Sequence, residues 1–122
     1  MKVEGITWHS ITLEKEQFDA YSKMVTDVMG LVPTMEMDGV KVFFMENGSL
    51  LELYETDKVP PFGYNGAVAF GFRVEDIEIA SEDLKSAGCE MLGEINRVPE
   101  MKYAYRHFKG PDGRVYGLNE QK

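Results

Sequence analysis

Few side chains in this sequence are suited to acid-base, nucleophilic or metal chemistry: there are two histidines, His9 and His107, and one cysteine, Cys89. They form no familiar catalytic set. No Ser/His/Asp or Cys/His grouping, CxxC pair or phosphate-cradling glycine loop stands beside them. A lone cysteine leaves no internal disulfide, fits a reducing compartment, and reads best as a small buried hydrophobe. His9 is the residue to follow, because it lies in Gly5 to Leu13, a strand candidate, and the face it occupies decides what it can do.

Composition narrows the classes. At 122 residues the chain fits one domain, large enough to bury a core without disulfides or a structural metal. With 43% apolar and 28% charged residues it is ordinary for a globular protein, and disorder is not expected. The net charge is −8 and the basic residues are scattered, so a phosphate-neutralising face for nucleic acid is not expected. Met1-Lys2-Val3-Glu4 carries no apolar signal region, and the longest uncharged stretch, Pro60 to Phe72, is broken by Pro and Gly. A cytoplasmic protein without a membrane span is expected.

The elements that must position His9 follow from periodicity. Glu14 to Met29 sets Phe18, Tyr21, Val25 and Val28 on one helical stripe, widened by Met24 and Met29 and closed by Gly30. Strands are expected over Val32 to Met37, Val40 to Glu46 and Ser49 to Glu55, separated by the two-residue turns Asp38-Gly39 and Asn47-Gly48. Thr56 to Asn65 reads as a linker. Beyond it comes a strand over Gly66 to Glu75, then a helix with Ile77, Ala80, Leu84 and Ala87 at the same spacing, closed by Gly88. Strands follow over Glu90 to Asn96, Lys102 to Lys109 and Arg114 to Asn119, the last two joined by Gly110-Pro111-Asp112-Gly113. Strand, helix and three strands are thus given twice, at about a 60-residue offset. The expected fold class is α+β: two βαβββ modules in tandem, about residues 5–56 and 66–120 with linker 57–65, whose curved mixed sheets form a cup with helices on the outer face.

Strand parity then suggests the cup lining. Val68, Phe70, Phe72 and Val74 are the helix-facing set, leaving Ala69, Gly71 and Arg73 towards the cup. A two-residue Asn47-Gly48 turn pairs Phe44 with Leu51 and Phe43 with Glu52, so Lys41, Phe43, Glu52 and Tyr54 face the cup and Val42, Phe44, Leu51 and Leu53 the core. Thr34 falls beside Phe43. A four-residue last turn pairs Lys109 with Arg114 and Arg106 with Gly117, which puts Arg106 and Gly117 on one face and His107 on the other. Trp8 and Ser10 oppose His9. Most methionines fit core filling.

With this layout the sequence resembles the vicinal oxygen chelate superfamily, which contains glyoxalase I, fosfomycin-resistance enzymes, extradiol dioxygenases and bleomycin-resistance proteins. The resemblance rests on His9-Ser10-Ile11-Thr12-Leu13, Val28-Met29-Gly30-Leu31, Leu51-Glu52-Leu53 and Gly110-Pro111-Asp112-Gly113, in that order and spacing. It implies four positions that hold a divalent metal in metal-dependent relatives, and these fall here on His9, Glu52, Ala69 and Gly117. His9 and Glu52 are plausible nitrogen and oxygen ligands for Zn, Ni, Fe or Mn, whereas Ala69 and Gly117 supply no donor, and two protein ligands are too few for a tight site. His9 and Glu52 are then expected to hydrogen-bond each other and line a pocket.

The leading expectation is a small-molecule-binding protein of the glyoxalase/bleomycin-resistance type with no complete metal site. It would hold a small organic ligand through His9, Thr34, Phe43, Glu52, Tyr54, Ala69, Arg73 and Arg106, the arginines suiting a carboxylate or phosphate, and the resemblance implies a homodimer. The alternatives are a divalent-metal-dependent lyase, isomerase or dioxygenase using His9 and Glu52, and a protein whose filled cup serves assembly alone.

Overall fold

A computed structural model describes residues 1–60, 63–64 and 66–122. Its strands are β1 (Val3–Leu13), β2 (Met35–Met37), β3 (Val40–Phe44), β4 (Leu50–Glu55), β5 (Val68–Val74), β6 (Glu90–Val98), β7 (Tyr103–Lys109) and β8 (Val115–Gln121), and its α-helices are α1 (Lys15–Lys23) and α2 (Ile77–Ser86). The class is α+β, as expected. Two compact units divide the chain: residues His9–Ala69 form one, and Met1–Trp8 with Phe70–Lys122 form the other. β1 contributes to both. The expected linker contains a 3-10 turn at Thr56–Lys58, and its positions 61, 62 and 65 lie outside the described residues.

In the His9–Ala69 unit the strands neighbour one another in the order β2-β3-β4-β1. α1 packs on one face, where Phe18, Val25, Phe43 and Leu53 are buried against Ile11, Leu13, Tyr21 and Leu51. The helix starts where the Gln17 side chain accepts the Glu14 N–H at 3.3 Å. Its end departs from the expected single stripe. Over Met24–Val28 the turns widen, with Met29 N–H donating to Met24 O at 3.0 Å. The wider turn rotates later residues away from the stripe, so Val25 is buried while Val28 is 80% exposed. Met29, Met35 and Met37 are also exposed, and among these methionines core filling falls to Met24.

The Asp38-Gly39 turn is the two-residue turn expected, pairing Met37 with Val40 and Met35 with Val42. The β3–β4 turn is not. Met45 N–H donates to Ser49 O and Gly48 N–H to Met45 O, with Gly48 at φ 85°. Glu46, Asn47 and Gly48 therefore form a three-residue loop with a left-handed glycine. Register moves by one residue, to Phe44 with Leu50, Phe43 with Leu51 and Val42 with Glu52. A slip of one exchanges faces: Phe43 goes to the α1 core at 0% exposure, and Lys41 lies 5.9 Å from the Phe18 ring centroid on the same face. Val42 and Phe44 join Glu52 and Tyr54 on the other.

In the other unit the order is β1-β5-β8-β7-β6, with β5 and β8 parallel and β7 antiparallel to both β8 and β6. Asp76 caps α2, its carboxylate accepting the N–H groups of Glu78 and Ile79. Ile77 and Ala80 bury completely against Val74, Ala104, Phe108 and Leu118, with Phe72, Leu84 and Tyr116 at the margin. The helix-facing parity read for β5 therefore holds for Phe72 and Val74. The last hairpin closes in the same way: Gly110 N–H donates to Arg114 O and Gly113 N–H to Gly110 O, so Pro111, Asp112 and Gly113 form a second three-residue loop with a left-handed glycine, and Lys109 pairs with Val115 rather than Arg114.

Candidate functional site

That second slip decides which histidine enters the site. His107 is opposite Gly117, and Arg106 is opposite Leu118. Ala104 and Phe108 belong to the α2 core, so Arg106 shares the helix-side face, where its Nε–H donates to Gly93 O at 2.9 Å. Tyr103, Tyr105 and His107 occupy the other face. Their rings run in sequence: Tyr103 to Tyr105 at 5.9 Å, Tyr105 to His107 at 6.1 Å, and His107 edge-on to Trp8 at 5.2 Å. Such spacings and tilts are those aromatic rings prefer.

Gly117 leaves the space that Trp8 fills. Gly71 and Gly117 pair across the parallel strands β5 and β8. A Cβ on Gly117 would stand 2.7 Å from Trp8 Cε3, and one on Gly71 would meet Gly117 backbone at 2.7 Å. The bare backbone thus lets the indole lie against the sheet beside His107. Burial pushes the His107 imidazole down to about 4 from 6.5, because a charged ring there would lose its hydration. At neutral pH it is an uncharged group and a weak base.

One end of this aromatic run is polar. Asn119 is opposite Tyr105 and Arg73, and its side-chain amide exchanges hydrogen bonds with the Thr7 hydroxyl at 3.3 to 3.5 Å. Arg73 Nε forms an ion pair with Glu4 at 3.3 Å, in a geometry that is not a hydrogen bond. Gln121, opposite Tyr103, has its Oε1 buried without a hydrogen-bond partner among the described residues. An apolar floor with a few placed polar groups at one side is the usual composition of a small-molecule site.

A family profile described as Glyoxalase/Bleomycin resistance protein/Dioxygenase superfamily matches residues 11–115. The chain belongs to this superfamily. Solved members and neighbours share the fold at low identity. A Mn(II)-bound glyoxalase from Novosphingobium aromaticivorans is 17% identical with a TM-score of 0.73, and the alignment covers 98% of this chain but 39% of that one. The chain thus spans well under half of that protein. A variant of methylmalonyl-CoA epimerase from Streptomyces coelicolor, in complex with 2-nitronate-propionyl-CoA, is 18% identical with a TM-score of 0.67 over 98% and 99% of the two chains. A superfamily member from Vibrio splendidus 12B01 is 15% identical with a TM-score of 0.62 over 98% and 100%. A search of curated proteins finds no match.

The four positions that the superfamily resemblance marked do not assemble as a donor set. Thr7 and Trp8 are consecutive, yet one contacts Asn119 and the other His107 and Gly117 on the same face. Alternation is therefore broken between them, as at a β-bulge. Beyond Trp8 it resumes, and His9 follows Ile11 and Leu13, which pack towards α1. Glu52 lies between Leu51 and Leu53 of that same core, so it projects from the opposite face. Ala69 is buried and small, and Gly117 lies against the indole. Among the described residues no three His, Cys, Asp or Glu side chains come together to hold a metal. With two positions lacking a donor and His9 and Glu52 on opposite faces, these four positions do not fit a chelated ion.

The other expected lining residues divide by unit. Thr34 lies just outside the β2–β3 ladder, its N–H donating to Val42 O, the residue that Met35 already faces, and its hydroxyl accepting the Phe44 N–H at 3.0 Å. Tyr54 shares the Glu52 face and meets Tyr64 edge-on at 5.7 Å. Phe43 and Arg106 are on helix-side faces, corrected by the two hairpin registers. Trp8, Tyr105, His107, Asn119 and Gln121 were missed. The alternating rings Tyr103, Tyr105 and His107 were the available signal, but parity without the loop length could not say which face they occupied.

Proposed function

We propose that this protein binds a small organic molecule on the strand face carrying Trp8, Tyr105 and His107, without using a chelated metal. The observation that carries the reading is the aromatic run ending at Thr7, Asn119, Arg73 and the unpartnered Gln121 Oε1. Stacking would hold an apolar or aromatic body, and the polar end would orient it through hydrogen bonds. An uncharged His107 would favour a neutral ligand group at that point. We read the two units as the modules of one domain, the compartment as the cytoplasm, and the working form as a homodimer, supported by the exposed Val28, Val32, Met35 and Met37.

The test uses Trp8, the only tryptophan. A metabolite panel screened by melting temperature is expected to yield a ligand that also changes Trp8 emission and loses at least tenfold in affinity in Tyr105→Ala. Elemental analysis of untreated protein is expected to show no stoichiometric Zn, Ni, Fe or Mn. Stoichiometric metal that disappears in His9→Ala would overturn the metal-free reading in favour of a metal-dependent lyase, isomerase or dioxygenase.

A further inference from the structure

The helix-side face of the unit formed by Met1–Trp8 and Phe70–Lys122 is incompletely covered. α2 ends at Ser86, and Gly88 at φ 97° turns the chain away. The neighbouring strand residues are left with a cavity of about 670 Å³. Val74, Phe108 and Leu118 lie at its buried base. Phe70, Phe72 and Tyr116 form a wall of mutually contacting rings, with centroids 5.8 Å apart for Phe70–Phe72 and 5.2 Å for Phe70–Tyr116. Leu84 and Ala87 of the helix end face them.

The polar features of the lining are sparse. Tyr116 OH donates to Asp112 Oδ2 at 2.6 Å, and Arg114 N–H donates to Asp112 Oδ1 at 3.0 Å. The bond from Tyr116, followed by that from Arg114, keeps the Asp112 carboxyl below its ordinary range. Among the described residues no lysine, arginine or histidine side chain lines the cavity, and the Met1 ammonium at its edge is held by Asp83 at 2.8 Å. With a chain charge of −8, an anion gains nothing here. The volume lies within the range of roughly 300–1,000 Å³ typical of small-molecule sites.

We infer that this cavity is a second ligand site, which takes an uncharged, mainly apolar small molecule, aromatic or of similar hydrocarbon bulk, and excludes anions. It does not depend on the site proposed above, because Phe72 and Leu118 face away from Arg73 and Asn119. Charge makes the cavity selective: the Asp112 carboxylate at the rim accepts a hydrogen-bond donor and repels carboxylates, phosphates and sulfonates.

Two dyes with one ring system test this. N-phenyl-1-naphthylamine is uncharged, and 1-anilinonaphthalene-8-sulfonate is an anion. Fluorescence titration is expected to show one saturable site per chain for the neutral dye, at least tenfold tighter than for the sulfonate. Ala87→Trp, which fills the mouth from an exposed position, is expected to weaken the neutral dye at least tenfold, as is Cys89→Phe from the adjoining wall. Tyr105→Ala on the opposite face should leave it unchanged. Equal binding of both dyes, full binding in both filled variants, or loss in Tyr105→Ala each overturns the assignment. So does failure of the neutral dye to bind while Ala87→Trp converts a sedimenting dimer to monomer, which would make the occupant a second copy of the chain.

Discussion

Replacing His107 with phenylalanine should remove a defined part of the protein's acid sensitivity. The imidazole is 8% exposed, and its buried, uncharged state sets its folded value at about 4 against 6.5 in the unfolded chain. Above pH 6.5 both states hold it neutral and its full contribution is present. As pH falls below 6.5 the unfolded chain takes up a proton that the folded chain refuses. Stability then declines until about pH 4, below which both are protonated and nothing more is lost. One unit corresponds to about 1.4 kcal/mol, so the whole window is worth roughly 3 kcal/mol, of which roughly 2 kcal/mol falls between pH 7 and pH 5. Urea unfolding of wild type and His107→Phe at those two values isolates it, because other titrating groups and the fixed cost of the substitution cancel in the double difference. Wild type should lose roughly 2 kcal/mol more than the variant. Equal losses would show that His107 is not held neutral by burial, and the packing assigned to it beside Trp8 would be wrong.

Gly117→Ala should cost about 1–3 kcal/mol by overpacking and shift Trp8 emission, since the added Cβ would stand 2.7 Å from the indole; an unchanged melting temperature and spectrum would refute that contact. Asp76→Ala should lower stability by about 1 kcal/mol in urea unfolding, with Asp76→Asn nearly neutral, because either side chain caps α2 but alanine cannot. Val28→Lys with Val32→Lys, at positions 80% and 79% exposed, should leave the melting temperature unchanged while light scattering falls from twice the chain mass to 13.8 kDa. A wild type already at the single-chain mass would end the dimer proposal.

Much of the fold was legible in sequence because periodicity is a local property. Both α-helices, the strands β1 to β8, the left-handed glycines Gly30 and Gly88, and the Asp38-Gly39 turn follow from apolar spacing and turn chemistry. The superfamily was legible as a resemblance, carried by short motifs such as His9-Ser10-Ile11-Thr12-Leu13 and Gly110-Pro111-Asp112-Gly113 in their order along the chain. The faces were not. Asn47-Gly48 is compatible with a two-residue turn and with a three-residue loop ending in a left-handed glycine, and Gly110-Pro111-Asp112-Gly113 does not say whether Gly110 belongs to the loop or pairs with Arg114. Each choice changes register by one residue, and a period of two turns that single residue into a complete exchange of sides. The widened turn at the end of α1 acts likewise on Val28. The sequence by itself determined which elements form and in what order. Only the tertiary structure, through pairing that depends on distant strands, decided that His107 rather than Arg106 stands beside Gly117 and that His9 and Glu52 part company.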